Sequence, residues 1–286
     1  MSAQAYSIEM PQEWQSSVVI ASPHSGADYP KAFVEQSILD PKRLRSSEDA
    51  FVDALFSAAP DLGMPMLTAR VPRAFVDFNR SCEELDPALI DGVKRRGQNP
   101  RVASGLGVIP RVVSNGRTIY RGKLSLAEAR ARIENYWQPY HAALQRLLDA
   151  SRSRFGETIL IDCHSMPHEA VEGVAMHRAQ RPEIVLGDRF GAAADRKVMD
   201  RVEAAFAAAG FRVARNSPFA GAYITQTYGR PSRGQHAIQV EIDRSLYMDE
   251  ANITPNEQFE AVRGRLTRAL RDIADQGSEC QPMAAE

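Results

Sequence analysis

Long apolar runs are missing from this chain. No stretch of about 18 uninterrupted apolar residues occurs, which excludes a membrane-spanning helix of the usual kind. An excess of one charge is missing too: 35 Lys and Arg stand against 36 Asp and Glu, for a net charge of −1. That balance selects neither nucleic acid nor an acidic membrane surface as a partner. Cysteine is scarce. Cys82, Cys163 and Cys280 are odd in number and far apart, which fits neither a disulfide framework nor a paired-cysteine zinc site. The opening residues MSAQAYSIEMPQEWQSSVVI lack the basic start and apolar block of a secretory signal, so a reducing cytoplasm is the expected compartment.

What the chain does contain is an alternation of strand and helix patterns over 286 residues, enough for a sizeable core. "SVVIA" (17–21) is a short β-branched run ending at the turn-like "SPHSG". "SSEDAFVDALFSAA" (46–59) has helical apolar spacing, with Ser46 or Ser47 as its N-cap. "MPMLTAR" and "AFVDFN" read as two strands joined by "VPR". Residues 87–121, rich in Gly, Pro, Asn and Arg, read as a long irregular excursion. A capping box, Ser125 to Glu128, opens a helix running to Gly156 with a kink expected at Pro139. "ETILIDCH", "EIVLG", a helix at about 192–209, "FRVARN", "AYITQT" and "HAIQVEID" continue the alternation, and a last helix spans roughly 256–274. These features predict one α/β domain over 1–286 on a largely parallel or mixed sheet, with peripheral tails near 1–14 and 276–286.

In such sheets ligands bind beyond the carboxyl ends of strands. Three strand-borne groups attract attention there: His24 after "VVIASP", His164 after "ILID", and Glu241 within "HAIQVEID". Two neutral imidazoles with one carboxylate are a common ligand set for catalytic zinc. "SED" offers Glu48 and Asp49 as the third ligand, and Asp49 is preferred with Glu48 as the fallback. A buried, unpaired Glu241 would cost several kcal/mol, roughly, so it calls for a catalytic role or an ion pair with Arg244. Arg73, Asn79, Arg80, Thr225 and Arg230 form a second set suited to binding carboxylates. Nucleophilic readings of "IDCHSMP" are weaker. Strand neighbours Cys163 and His164 point to opposite faces, Ser165 lacks a G-x-S-x-G elbow, and Asp162 is read as support for His164.

The segments "SPHSG", "SEDAFVDALF", "VDFNRS", "YWQPYHAAL", "IDCHSMP", "YITQTYGRP" and "AIQVEIDRSLYMDE" occur in this order across roughly 17–251. Together they resemble the N-formylglutamate amidohydrolases, a family similar in turn to the zinc carboxypeptidase-type hydrolases. The resemblance implies a three-layer α/β/α, phosphorylase/hydrolase-like fold and zinc-dependent hydrolysis of N-formyl-L-glutamate, a step of histidine breakdown. By the same resemblance His24, Asp49 and His164 bind Zn2+, and Glu241 is the general base. Asn79 and Arg80 hold a substrate carboxylate, with Arg80 also at the reacting end, while Arg73 and Arg230 serve the second carboxylate or the oxyanion. The sequence departs from the family pattern at Ala222, where a second glycine is expected after Gly221, and at Gln226, where a basic residue is common. Two rival readings are a zinc amidase for another N-acyl amino acid or small peptide, and a non-catalytic dicarboxylate-binding protein.

Overall fold

The computed structural model describes residues 4–94, 99–173 and 181–278. The tail beyond 278 and residues 95–98 of the expected excursion lie outside the described residues. Contacts divide the chain into two compact units, the first drawn from Met1–Ser7, Pro23–Ala50 and Thr68–Ala143, the second from Ile8–Ser22, Phe51–Leu67 and Leu144–Glu286.

Seven strands form one sheet: β1 (Tyr6–Glu9), β2 (Val18–Ser22), β3 (Met66–Ala69), β4 (Thr158–Met166), β5 (Ile184–Gly187), β6 (Val213–Arg215) and β7 (Gln235–Asp243). Their order is β1-β3-β2-β4-β7-β5-β6. β4 runs parallel to both β2 and β7, β5 runs parallel to β6, and β5 meets β7 antiparallel. The fold is therefore α/β on a mixed, mostly parallel sheet. Every residue of β2, β4 and β7 is buried, whereas the edge strands β1 and β6 are not fully covered. Such cover is why β2 and β5 read as continuous apolar runs, and it leaves the polar residues of β4 and β7 buried.

In the second unit two amphipathic helices cover apolar surface. The helix Arg196–Ala208 buries Val198, Met199, Val202, Ala205 and Phe206, one stripe at helical spacing. It packs against the helix Phe259–Ser278, which buries Val262, Leu266, Ala269, Leu270 and Ile273. "AYITQT" contributes most of the short helix Tyr223–Tyr228. Among the described residues no helix is long and apolar enough to cross a membrane.

Two elements differ from their sequence patterns. The helix expected over 46–59 shrinks to Val52–Leu55, capped by Phe51 with φ at 65° rather than by a serine. The break lies just upstream, where Glu48 has extended backbone at ψ 146° and the Asp49 amide donates to the His24 carbonyl. "AFVDFN" is not a strand but a series of turns: the amides of Phe75 and Val76 both donate to the Pro72 carbonyl, and that of Asp77 donates to Val108. The capping box is half made, with Ser125 Oγ accepting from the Glu128 amide while the Glu128 carboxylate goes to Arg132. Ahead of Pro139 the helix loosens into a π-turn over Ile133–Trp137 before resuming as Gln138–Phe155. Proline has no amide for the preceding turn, and the wider turn absorbs that loss.

In the first unit, buried Arg132 organises the chain around the 87–121 excursion. Its guanidinium lies 4.3 Å from the Phe75 ring centroid, and Nη1 donates to Tyr120 Oη at 2.7 Å. Arg111 pairs with Asp86 at 2.9 Å. The described part of the excursion is thus tied to the unit by charge as well as by apolar contact.

Candidate metal and substrate site

His24 stands two residues beyond β2, on a turn whose backbone passes very close to its neighbours. A side chain at Gly26 would begin 2.3 Å from the Val71 carbonyl oxygen, so only glycine fits there. The His24 ring lies between two carboxylates: Nε2 is 2.7 Å from Asp77 Oδ1, and Nδ1 is 3.3 Å from Asp49 Oδ2. Asp77 is itself held by the Asn79 amide at 2.8 Å and by Arg73 Nη2 at 2.9 Å. Burial alone would raise the Asp77 carboxyl, but His24, Arg73 and Arg80 together hold it well below the usual carboxylate range. Asp77 escaped the sequence reading because "AFVDFN" looks like an ordinary strand; its signal is a carboxylate two residues before Asn79.

Glu48 and Asp49 take different partners. Glu48 is taken by Arg45, whose Nε and Nη2 both donate at 3.0 Å, and by the Tyr29 hydroxyl at 2.5 Å. Burial first, and the Glu48 charge second, push the Tyr29 hydroxyl far above its ordinary pKa, so it stays a donor. Asp49, almost wholly buried, is the acid beside His24, and its amide donates to the His24 carbonyl.

In the second unit β4 runs regularly through "ILIDCHSM", so residues 162 and 164 share a face. Asp162 Oδ2 is 3.1 Å from His164 Nε2. Cys163 points to the other face, fully buried, and burial pushes its thiol well up, which makes it a poor nucleophile. Ser165 Oγ accepts from Arg244 Nε at 3.1 Å. Glu241 sits opposite His164 in the β4–β7 register. Its Oε1 accepts from Gln239 Nε2 at 2.8 Å, and Gln239 Oε1 accepts from the Ala222 backbone amide at 3.1 Å.

Ligand atoms of His24, Asp49 and His164, all buried, lie within 4.8 Å of one another, and this group can hold a metal ion. The donor chemistry fits. Each histidine has Nε2 directed at a buried carboxylate, so Nδ1 is the atom that would coordinate a metal. Carboxylates in that position fix the ring and raise its basicity. Replacing Asp77 by Asn is therefore expected to weaken metal affinity by about 10- to 100-fold. Competition with a chelating indicator measures this, and unchanged affinity would show that Asp77 does not support the ligand.

The anion-binding candidates are placed less uniformly. Arg80 is buried, donating to the Leu106 and Asn79 carbonyls, and burial lowers its pKa from the ordinary arginine value. Arg73 lies between Asp77 and Asp49. Thr225 donates its hydroxyl to the Ala222 carbonyl, and Arg230 donates to the Gln226 and Gly229 carbonyls at the helix end.

A buried group of two histidines and one carboxylate on an α/β sheet, with His164 inside β4, is a donor set known from metal-dependent hydrolases. Comparison with known proteins narrows the class. A family model described as "N-formylglutamate amidohydrolase" matches residues 16–248. N-formylglutamate deformylases of Pseudomonas aeruginosa and Pseudomonas putida are each 30% identical to this chain, with 82% of either partner covered. The crystal structure of an N-formylglutamate amidohydrolase from Ralstonia eutropha JMP134 superposes with a TM-score of 0.89 at 34% identity, covering 96% of this chain and 99% of that one. The chain belongs to the N-formylglutamate amidohydrolase family.

Proposed function

We propose that this protein hydrolyses N-formyl-L-glutamate to formate and L-glutamate, with zinc held by His24, Asp49 and His164. The observation that carries the reading is the buried ligand group, formed within 4.8 Å in a chain of this family. Two imidazoles and a carboxylate suit zinc and leave room for a water and a substrate oxygen. Zinc in such a site supplies Lewis acidity to a carbonyl oxygen and a water that is nucleophilic near neutral pH.

The protein's own part is proton transfer and orientation. Glu241 Oε2 accepts a proton as the water oxygen bonds to the formyl carbon, and returns it to the glutamate nitrogen as the C–N bond breaks. Gln239, on Oε1, keeps the carboxylate facing one way. Asn79 and Arg80 receive one substrate carboxylate. Arg73 and Arg230 serve the second carboxylate or the developing oxyanion, with Thr225 as a further hydroxyl. Arg230 and Thr225 hold backbone carbonyls now, so substrate has to replace those bonds.

Rates on N-formyl-, N-acetyl- and N-succinyl-glutamate and on a dipeptide ending in glutamate test the substrate. The formyl compound is expected to lead the acetyl compound by at least about tenfold in kcat/KM, the scale of one carbon in a fitted pocket. A dipeptide or larger acyl group cleaved as fast would move the assignment to a broader amidase.

A further inference from the structure

The segment "YWQPYHAAL" takes no part in the chemistry just described, yet two of its side chains end on the backbone that carries Asn79 and Arg80. Trp137 Nε1 donates to the Arg80 carbonyl at 2.9 Å. His141 Nε2 lies 2.9 Å from the Phe78 carbonyl. The two bonds bracket Asn79. Trp137 and His141 are four residues apart, so they stand one above the other on a helix face, and their ring centroids are 4.0 Å apart. The next helix position inward, Tyr140, stacks on Phe78 at 4.3 Å. Trp137 ends the π-turn, and such turns are frequent where a helix must aim a side chain at a functional site.

We infer that Trp137 and His141 are positioning residues for substrate binding: they clamp the carbonyls of Arg80 and Phe78 so that the Asn79 and Arg80 side chains are presented in one fixed arrangement. The inference rests on the reading above, in which those two side chains receive a substrate carboxylate. A carbonyl can only accept, so His141 Nε2 carries the proton. Burial depresses the His141 pKa to about 3, which keeps the ring neutral and the donor in place at working pH. Arg80 fits the scheme. Its Nη1 donates to the Asn79 carbonyl at 2.8 Å, so the backbone the clamp holds also holds the guanidinium. Pre-organisation of this kind acts on substrate binding rather than on the chemical step.

Steady-state kinetics with N-formyl-L-glutamate on Trp137→Phe, His141→Leu, His141→Gln, Arg80→Ala and the Trp137→Phe/Arg80→Ala double variant tests it. Trp137→Phe keeps the ring and removes only the donor. Trp137→Phe and His141→Leu are each expected to raise KM about tenfold, the scale of one hydrogen bond, with kcat within about threefold of the parent. His141→Gln, which restores an N–H donor, is expected to bring KM back to within about threefold. In the Arg80→Ala background, Trp137→Phe should raise KM by clearly less than it does in the parent, since only Asn79 is left to be positioned. A purely structural role would lower thermal stability without this KM-against-kcat split or the glutamine rescue. The inference is overturned if Trp137→Phe leaves KM unchanged while Arg80→Ala raises it, or if the two effects simply add. Should Arg80→Ala itself leave KM unchanged, the substrate assignment of Arg80 fails, and the clamp falls with it for that separate and visible reason.

Discussion

Glu241→Gln is expected to cut kcat by about 10²- to 10⁴-fold, the usual worth of a positioned general base, while KM and metal content stay near the parental values. The substitution changes little else. Glutamine has the same length, and its amide oxygen can still accept from Gln239 Nε2, now 2.8 Å from Glu241 Oε1. Only the ability to take a proton from water disappears. Retention of more than about a tenth of kcat, a barrier change under about 1.4 kcal/mol, would remove Glu241 from the base role. Loss of metal together with activity would instead make it part of the ligand set.

The second large effect is loss of the metal itself. Purified protein is expected to carry one equivalent of zinc, and His24→Ala and His164→Ala are each expected to lose it along with measurable turnover. Each imidazole is one of three donors, and its other nitrogen faces Asp77 or Asp162. Removing the His164 ring takes from buried Asp162 its imidazole partner, a cost of about 3–5 kcal/mol, whereas Asp77 keeps Arg73 and the Asn79 amide after His24→Ala. Thermal melts must therefore accompany the metal analysis, with His24→Asn and His164→Asn as smaller disturbances. Stoichiometric metal in both folded variants would disprove the ligand assignment. A parent that binds dicarboxylates with neither metal nor hydrolysis would make the chain a binding protein.

Which of these residues could be found from the sequence depended on how local their constraint is. β2, β5 and the start of β4 announce themselves as apolar runs, and β7 by Ile238, Val240 and Ile242 at every second position. The strand-end rule then singles out His24 and His164, which the structure does bring together with Asp49. Glu48 and Asp49 could not be separated by pattern, since adjacent acids look alike until one meets Arg45 and Tyr29 and the other meets His24. Asp77 stayed hidden for the opposite reason. Its segment satisfies a strand pattern, and only a partner 53 positions away gives its carboxylate a task. The shortened helix before Phe56 has the same origin, a tertiary demand at Glu48 and Asp49 that overrides local propensity.

The parallel order of β2, β4 and β7 has a further consequence, for the way the enzyme comes into being. Val18 pairs with Ile159, and Thr158 with Gln235, so each ladder closes a very long loop of chain. Contacts of that kind must lose loop entropy before they return energy, and they form slowly. His164 and Glu241 come side by side only once the β4–β7 ladder is in register, and a slip of one residue would turn either side chain to the wrong face. The candidate group of His24, Asp49 and His164 therefore exists only once distant parts of the chain have met.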